Sequence, residues 1–162
     1  LANRKLMLEK IKQIVGENIK NVSFFDYINI AHNYANEEKH LGQKLVLHRK
    51  GATSAYKGEK GIIPGSQGSK SYIVEGLGNS ESFKSCSHGA GRLMGRKEAQ
   101  RRLNLEAELE KLNRQGIIHA VNSRKDLDEA TGAYKDIKSV MEHQKDLVKI
   151  LVELKPLAVI KG

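Results

Sequence analysis

Residues 85 to 96, Ser-Cys-Ser-His-Gly-Ala-Gly-Arg-Leu-Met-Gly-Arg, constrain the fold more than any other stretch of the chain, since they set one histidine among small residues and place two arginines after it. Gly89 and Gly91 remove the β-carbons that would keep a bulky anion from the backbone, so a turn is expected here. From Arg92 onward the pattern becomes helical. A turn that opens a helix presents free N–H groups and a partial positive charge, both of which favour phosphate. Arg92 and Arg96 are four apart, which on one helix aims both guanidiniums at a single phosphate cluster. His88 in that setting suits a nucleophile, a base or a metal ligand. The same spacing also suits a plain connection before an amphipathic helix, with a hydrogen-bonded histidine beside it, and the stretch alone leaves both readings open.

Bulk properties narrow the partners without choosing among them. A formal charge of +9 and a pI of about 9.6 favour a polyanion, because cations facing phosphates release condensed counterions. Solvated helix faces account for such a surplus equally well. The 162 residues suit one unit over 1–162, and no linker or repeat divides them. A single cysteine, Cys86, leaves no internal disulfide and suits a reducing compartment. No apolar run approaches the roughly 20 residues that span a bilayer, and Leu1 to Lys5 lead into an amphipathic pattern, not a signal peptide. A cytoplasmic protein without a membrane anchor is expected. The start at Leu1 suggests processing or a fragment of something longer.

Along the chain, apolar residues at Leu1, Met7, Leu8, Ile11, Ile14 and Val15 predict a helix ending near Gly16. Ile28, Ile30 and His32 alternate as in a strand, which turns His32 inward. Leu45 to His48 reads as a strand, followed by Arg49-Lys50-Gly51-Ala52-Thr53. Ile62-Ile63 and Tyr72-Ile73-Val74 bracket a turn-rich loop from Pro64 to Ser71, whose glycine spacing is not that of a Walker loop. The pattern predicts one helix from Arg92 to Arg114 stopped by Gly116, and a short strand over Ile117 to Val121. Ser139 with Glu142 predicts a capping box opening a helix that runs to Lys155-Pro156. Leu157 to Ile160 then reads as a buried terminal strand before Lys161-Gly162. The class is α+β, with strands mainly over 28–74, helices mainly over 92–155 and a short terminal strand.

Six stretches in order, Ala31-His32-Asn33-Tyr34, His48 to Thr53, Ile63-Pro64-Gly65-Ser66 with Ser71-Tyr72, Ser87 to Arg92, Ala133-Tyr134-Lys135-Asp136, and Leu157 to Gly162, resemble the RtcB family of GTP-dependent RNA ligases. The resemblance implies the carboxyl-terminal part of an RtcB-like fold. It also implies that a histidine attacks the α-phosphate of GTP, holds GMP and passes it to an RNA 3′-phosphate, from which a 5′-hydroxyl displaces it. His88 matches that nucleophile, and Lys50, Arg92 and Arg96 match cations that hold the transferring phosphates. His32 matches a ligand of manganese (Mn2+). Ser66, Ser71, Tyr134 and Lys161 match positions that line the guanine nucleotide. RNA is the implied partner, with an archease-like activator as a further one. Gln67 and Ser69 depart from the methionine and threonine common in that loop. The family's amino-terminal half, with its Asp-x-Gly-Cys-Gly metal motif and further ligands, is absent from this sequence, and Cys86 belongs to the nucleophile loop instead. The chain alone is therefore expected to guanylylate poorly or not at all, and to cover its apolar faces with that missing half or by self-association. A non-catalytic basic remnant that binds RNA or a protein is the competing reading.

Overall fold

Side chains alternate inward and outward along residues 33–50, and the computed structural model, which describes residues 2–25 and 27–160, forms a hairpin there. Strand β1 (Asn33–His40) pairs antiparallel with β2 (Gln43–Lys50), from His40 opposite Gln43 to Asn33 opposite Lys50. Leu41 and Gly42 join them with φ of 50° and 79°, the two positive values that a tight hairpin turn demands. Tyr34, Glu38 and His40 share the inward face with Leu45, Leu47 and Arg49. Gly51, at φ 76°, redirects the chain into β3 (Ala52–Ser54), which pairs antiparallel with β6 (Ser85–Ser87).

A three-stranded sheet carries the main core. Strands β4 (Lys60–Ile63) and β5 (Ser71–Gly76) form the hairpin expected around the Pro64 loop, and β8 (Val148–Leu154) adds antiparallel to β5. Ile63, Tyr72, Val74, Cys86, Ala90, Ile137, Met141 and Val148 are buried together. Complete burial of side chains such as Ile63 and Val74 stabilises by roughly 1.5–3 kcal/mol each. Gly76 is required where the end of β5 passes the segment just after β3: a β-carbon on it would lie 2.3 Å from the Tyr56 carbonyl oxygen. A smaller cluster of Leu112, Ile117 and Val121 packs under helix α3 (Leu105–Arg114) and strands β7 (Ile118–His119) and β9 (Ala158–Val159), which pair in parallel. The fold is α+β. Among the described residues no helix is long and apolar enough to cross a membrane.

Several expectations give way. Residues 28–31 join no ladder, and instead the Ile30 carbonyl accepts from Arg4 (2.6 Å) and the Ala31 carbonyl from Thr53 Oγ (3.1 Å). His32 is consequently exposed just before β1, not turned into a core. The single helix from Arg92 to Arg114 is two, α2 (Arg96–Arg102) and α3. Leu103 is extended between them, and Asn104 caps α3 by accepting from the Ala107 N–H. Gly116 ends α3 at φ 68°, as expected. Only Ile118–His119 of the run Ile117 to Val121 is strand. The helix expected from Ser139 to Lys155 stops at Glu142: α4 (Ile137–Glu142) is capped by Asp136, which accepts from the Ser139 N–H, and the β-branched Val148, Ile150 and Val152 lie in β8. The terminal strand exists as β9, but Leu157 and Ile160 beside it are 81% and 92% exposed, so it is not buried. The first helix, α1 (Ala2–Asn18), has no buried residue, and Leu6, Met7, Ile11 and Ile14 face outward. Lys161 lies outside the described residues.

Candidate active site

His88 follows directly on β6, and the pairing of β6 with β3 decides where it goes. With Ser87 opposite Ala52, the next N–H, that of His88, reaches the Gly51 carbonyl at 3.4 Å. The ring lies over Gly51, with Cδ2 and Nε2 each 3.7 Å from where a Gly51 β-carbon would stand. Downstream, the Ala90 N–H donates to the Pro64 carbonyl at 3.0 Å, and a β-carbon on Gly89 would come within 3.1 Å of the same oxygen. Glycine at 89 thus lets the loop close against Pro64. The His32 ring stacks on His88, with centroids 5.2 Å apart and planes 7° from parallel. Burial and, secondarily, the His32 charge hold the His88 pKa below the usual imidazole value, which favours the neutral ring with its lone pair.

His88 borders a cavity of about 420 Å³ that is also lined by Pro64, Gly65, Gly89 to Arg92, Arg96, Glu129 and Tyr134. Arg92 is not helical. It forms a bridge with Tyr134, so Arg92 and Arg96 do not share a helix face, yet both reach one carboxylate. Glu129 Oε1 accepts from Arg92 Nη1 at 3.3 Å and from Arg96 Nε at 3.2 Å, and Glu129 Oε2 accepts from the Tyr134 hydroxyl. Arg92 also donates from Nη1 to the Tyr134 hydroxyl (2.8 Å), from Nη2 to the Asp128 carbonyl and from Nε to the Met94 carbonyl, and its guanidinium sits 4.8 Å from the Tyr134 ring centre. Burial first, then the Glu129 hydrogen bond, push the Tyr134 pKa up. Glu129 has no distinguishing signal in the sequence, where it sits among the charges of residues 124–129.

The remaining candidates divide. His32 and His88 come together, and they share a second cleft of about 200 Å³ with Arg4, Thr53 and Pro64. Lys50 is exposed at the end of β2, one residue before the glycine that receives the His88 N–H. Ser66 and Ser71 brace their own loop. Ser66 Oγ bonds Ser69 Oγ (2.8 Å) and Thr131 Oγ1 (3.2 Å), while Ser71 Oγ accepts from the Gly65 N–H (3.2 Å). No three of His, Cys, Asp or Glu gather for a metal among the described residues. Cys86 is buried, and desolvation pushes its thiol up to about 11. The described residues therefore do not fit a manganese site by themselves, with His32 offering one imidazole nitrogen. Chemically, an imidazole and two guanidiniums bordering one cavity are suited to phosphoryl or nucleotidyl transfer.

A family model described as tRNA-splicing ligase RtcB matches residues 1–162. The chain is 42% identical over 169 residues to the RNA-splicing ligase RtcB of Escherichia coli (strain K12), an alignment covering 99% of this chain and 40% of that protein. It is 34% identical over 187 residues to the tRNA-splicing ligase RtcB of Nanoarchaeum equitans, covering 99% of this chain and 39% of that protein. Against the RNA-splicing ligase RtcB of Mycobacterium tuberculosis the identity is 34% over 181 residues, covering 99% of this chain and 42% of that protein. The chain thus spans about 40% of the length of these curated relatives.

Proposed function

The chain belongs to the RtcB family of tRNA-splicing ligases, and from that premise we propose that it is the guanylyl-accepting part of an RNA ligase with His88 as nucleophile. A His88 ring nitrogen attacks the α-phosphorus of GTP. The new P–N bond forms as the bond from that phosphorus to the bridging oxygen breaks, pyrophosphate departs, and the ring proton passes to solvent. The oxygen of an RNA 3′-phosphate, opened first from a 2′,3′-cyclic phosphate where necessary, then takes the GMP and frees the histidine. Attack by an RNA 5′-hydroxyl expels GMP and seals the strand. Arg92, Arg96 and Lys50 offset charge on the phosphates. Tyr134, with one face against Arg92, offers the other to guanine. Ser66 and Ser71 brace the loop facing the nucleotide, and the family resemblance adds Lys161, which lies outside the described residues, as a further nucleotide contact. The observation that carries the reading is the His88 ring, stacked on His32 and lying over Gly51 where it borders the cavity that Arg92 and Arg96 also line.

Manganese binding requires ligands beyond the described residues, to which this chain would contribute His32. The exposed apolar face of α1 is the expected seat of the rest of a family-length polypeptide or of a second copy, with an archease-like activator as a further partner. The lone Cys86 thiol fits a cytoplasmic setting.

The test is incubation with α-labelled GTP and manganese, alone and with the amino-terminal part of a relative. Label should appear as an acid-labile adduct on His88 in the complemented protein and vanish in His88→Ala. Arg92→Ala or Lys50→Ala should slow it by roughly 10²–10³-fold. Label on another residue overturns the reading. A second reading, a basic RNA-binding remnant, is favoured by the Arg92 guanidinium, whose three nitrogens all already have protein partners. Salt-sensitive RNA binding without an adduct under complementation would establish it.

A further inference from the structure

Away from the cavity, the hairpin β1–β2 buries an ion pair on the face where apolar contact is the default. Arg49 is 2% exposed. Its Nη1 and Nη2 grip both oxygens of Glu38, at 2.5 and 2.9 Å, and Nη1 also donates to the Tyr34 hydroxyl at 3.0 Å. Glu38 takes two more partners, His40 Nε2 at 2.8 Å and the Tyr56 hydroxyl at 3.0 Å, and the arginine hydrogen bond holds its carboxyl down at about 2. The fork does not stop at the hairpin. Arg49 Nε donates to Ser85 Oγ (2.9 Å) and Nη2 to the Phe83 carbonyl (3.2 Å), on the segment that enters β6 and then His88. Phe83 and Lys84 have φ of 53° and 51°, consecutive left-handed residues without glycine, a conformation that persists only where the surroundings hold it.

We propose that Arg49, locked by Glu38, is a positioning residue that clamps the left-handed bend at Phe83–Lys84 onto the β1–β2 hairpin and so sets His88 against His32. Three strand ends meet at this point. His32 precedes β1, Lys50 ends β2 and His88 follows β6, and Arg49 is the buried group bonded to the hairpin and to the approach to β6 alike. A buried ion pair is seldom more stable than a hydrophobic substitute of its size, so its distinctive contribution here is orientation. An arginine fork fixes direction where a lysine would not. The inference takes the role of His88 from the function proposed above.

The test reads geometry first. In the full chain, ring-proton cross-peaks between His32 and His88 are followed by NMR in Arg49→Lys and Glu38→Gln. They are also followed in Ser85→Ala, which removes one bond and keeps the ion pair, and in Lys44→Ala, which removes an exposed pair with Glu37 on the same hairpin. The cross-peaks should disappear in the first two, weaken in the third and persist in the last, with the amides of Leu112, Ile117 and Val121 unmoved. In the complemented protein, Arg49→Lys should slow adduct formation at saturating GTP by about 10²-fold with half-saturation unchanged. Persistence of the cross-peaks in Arg49→Lys and Glu38→Gln overturns the clamp, and so does their loss together with the whole amide pattern, which marks a merely structural pair. Should the unsubstituted complemented protein form no adduct, the nucleophile reading fails while the cross-peaks still decide the clamp.

Discussion

The molecule contains the same trio twice, an arginine gripping a glutamate beside a tyrosine hydroxyl, and the two copies differ chiefly in water. Arg49 and Glu38 have side chains 1% and 8% exposed, whereas Arg92 and Glu129 have 27% and 33%. Each arginine also lies near its tyrosine ring, 5.6 Å from the centre for Arg49 over Tyr34 and 4.8 Å for Arg92 over Tyr134. Out of water the charges have no alternative partners, so the buried trio behaves as framework. At the cavity wall the pair is partly hydrated, so its charges are screened and its partners are more readily exchanged. Equal chemistry thus serves as a fixed clamp behind His88 and as a replaceable lining in front of it.

The contrast breaks most easily by deleting the glutamates. Glu38→Ala strands a buried guanidinium and should destabilise the chain by about 3–5 kcal/mol in urea unfolding at pH 7. If it costs no more than Glu129→Ala, the distinction fails. A smaller effect follows from acid. The Glu38 carboxyl sits at about 2 in the folded chain against an ordinary 4.5, because Arg49 bonds its charged form. A depressed carboxyl contributes stability that is complete above 4.5 and is lost as pH falls through 4.5 towards 2. At about 1.4 kcal/mol per pH unit this amounts to roughly 3 kcal/mol. Glu38→Gln should flatten that part of the stability curve, and a curve unchanged by the substitution would remove the clamp's electrostatic basis.

Neither trio is visible from spacing. Glu38-Lys39 and Arg49-Lys50 look like solvated charge, and only the period-two alternation of Tyr34, Glu38 and His40 against Leu45, Leu47 and Arg49 signals that the charges share an inward face. Local signals did locate the β4–β5 hairpin, the Gly116 stop and the α+β class. They failed where a distant partner decides the outcome. Val-Lys-Ile-Leu-Val-Glu-Leu over Val148–Leu154 satisfies helical and extended patterns alike, and pairing with β5 selects the strand. Arg92 leaves the expected helix because Gly91 takes φ 74° and Tyr134 bridges to it. Of the candidate site, His88, Arg92, Arg96 and Tyr134 do border one cavity and His32 stacks on His88, but nothing local marked Glu129, thirty-seven residues from Arg92, as their shared counter-charge.

The smallest expected effect is also the sharpest test of exchangeability. Glu129→Gln removes a partly hydrated charge and should change stability by less than about 1 kcal/mol. The same substitution should strengthen binding of pyrophosphate, a probe with the phosphates and no base, because a carboxylate that occupies Arg92 and Arg96 opposes any second anion. At 6 Å in water one like charge costs about 0.7 kcal/mol, so roughly threefold tighter binding is expected by calorimetry at low salt, shrinking as salt is added. Weaker binding would mean that Glu129 holds Arg92 in its binding pose as Glu38 holds Arg49. The two trios would then be one device used twice, and hydration would have no part in separating their roles.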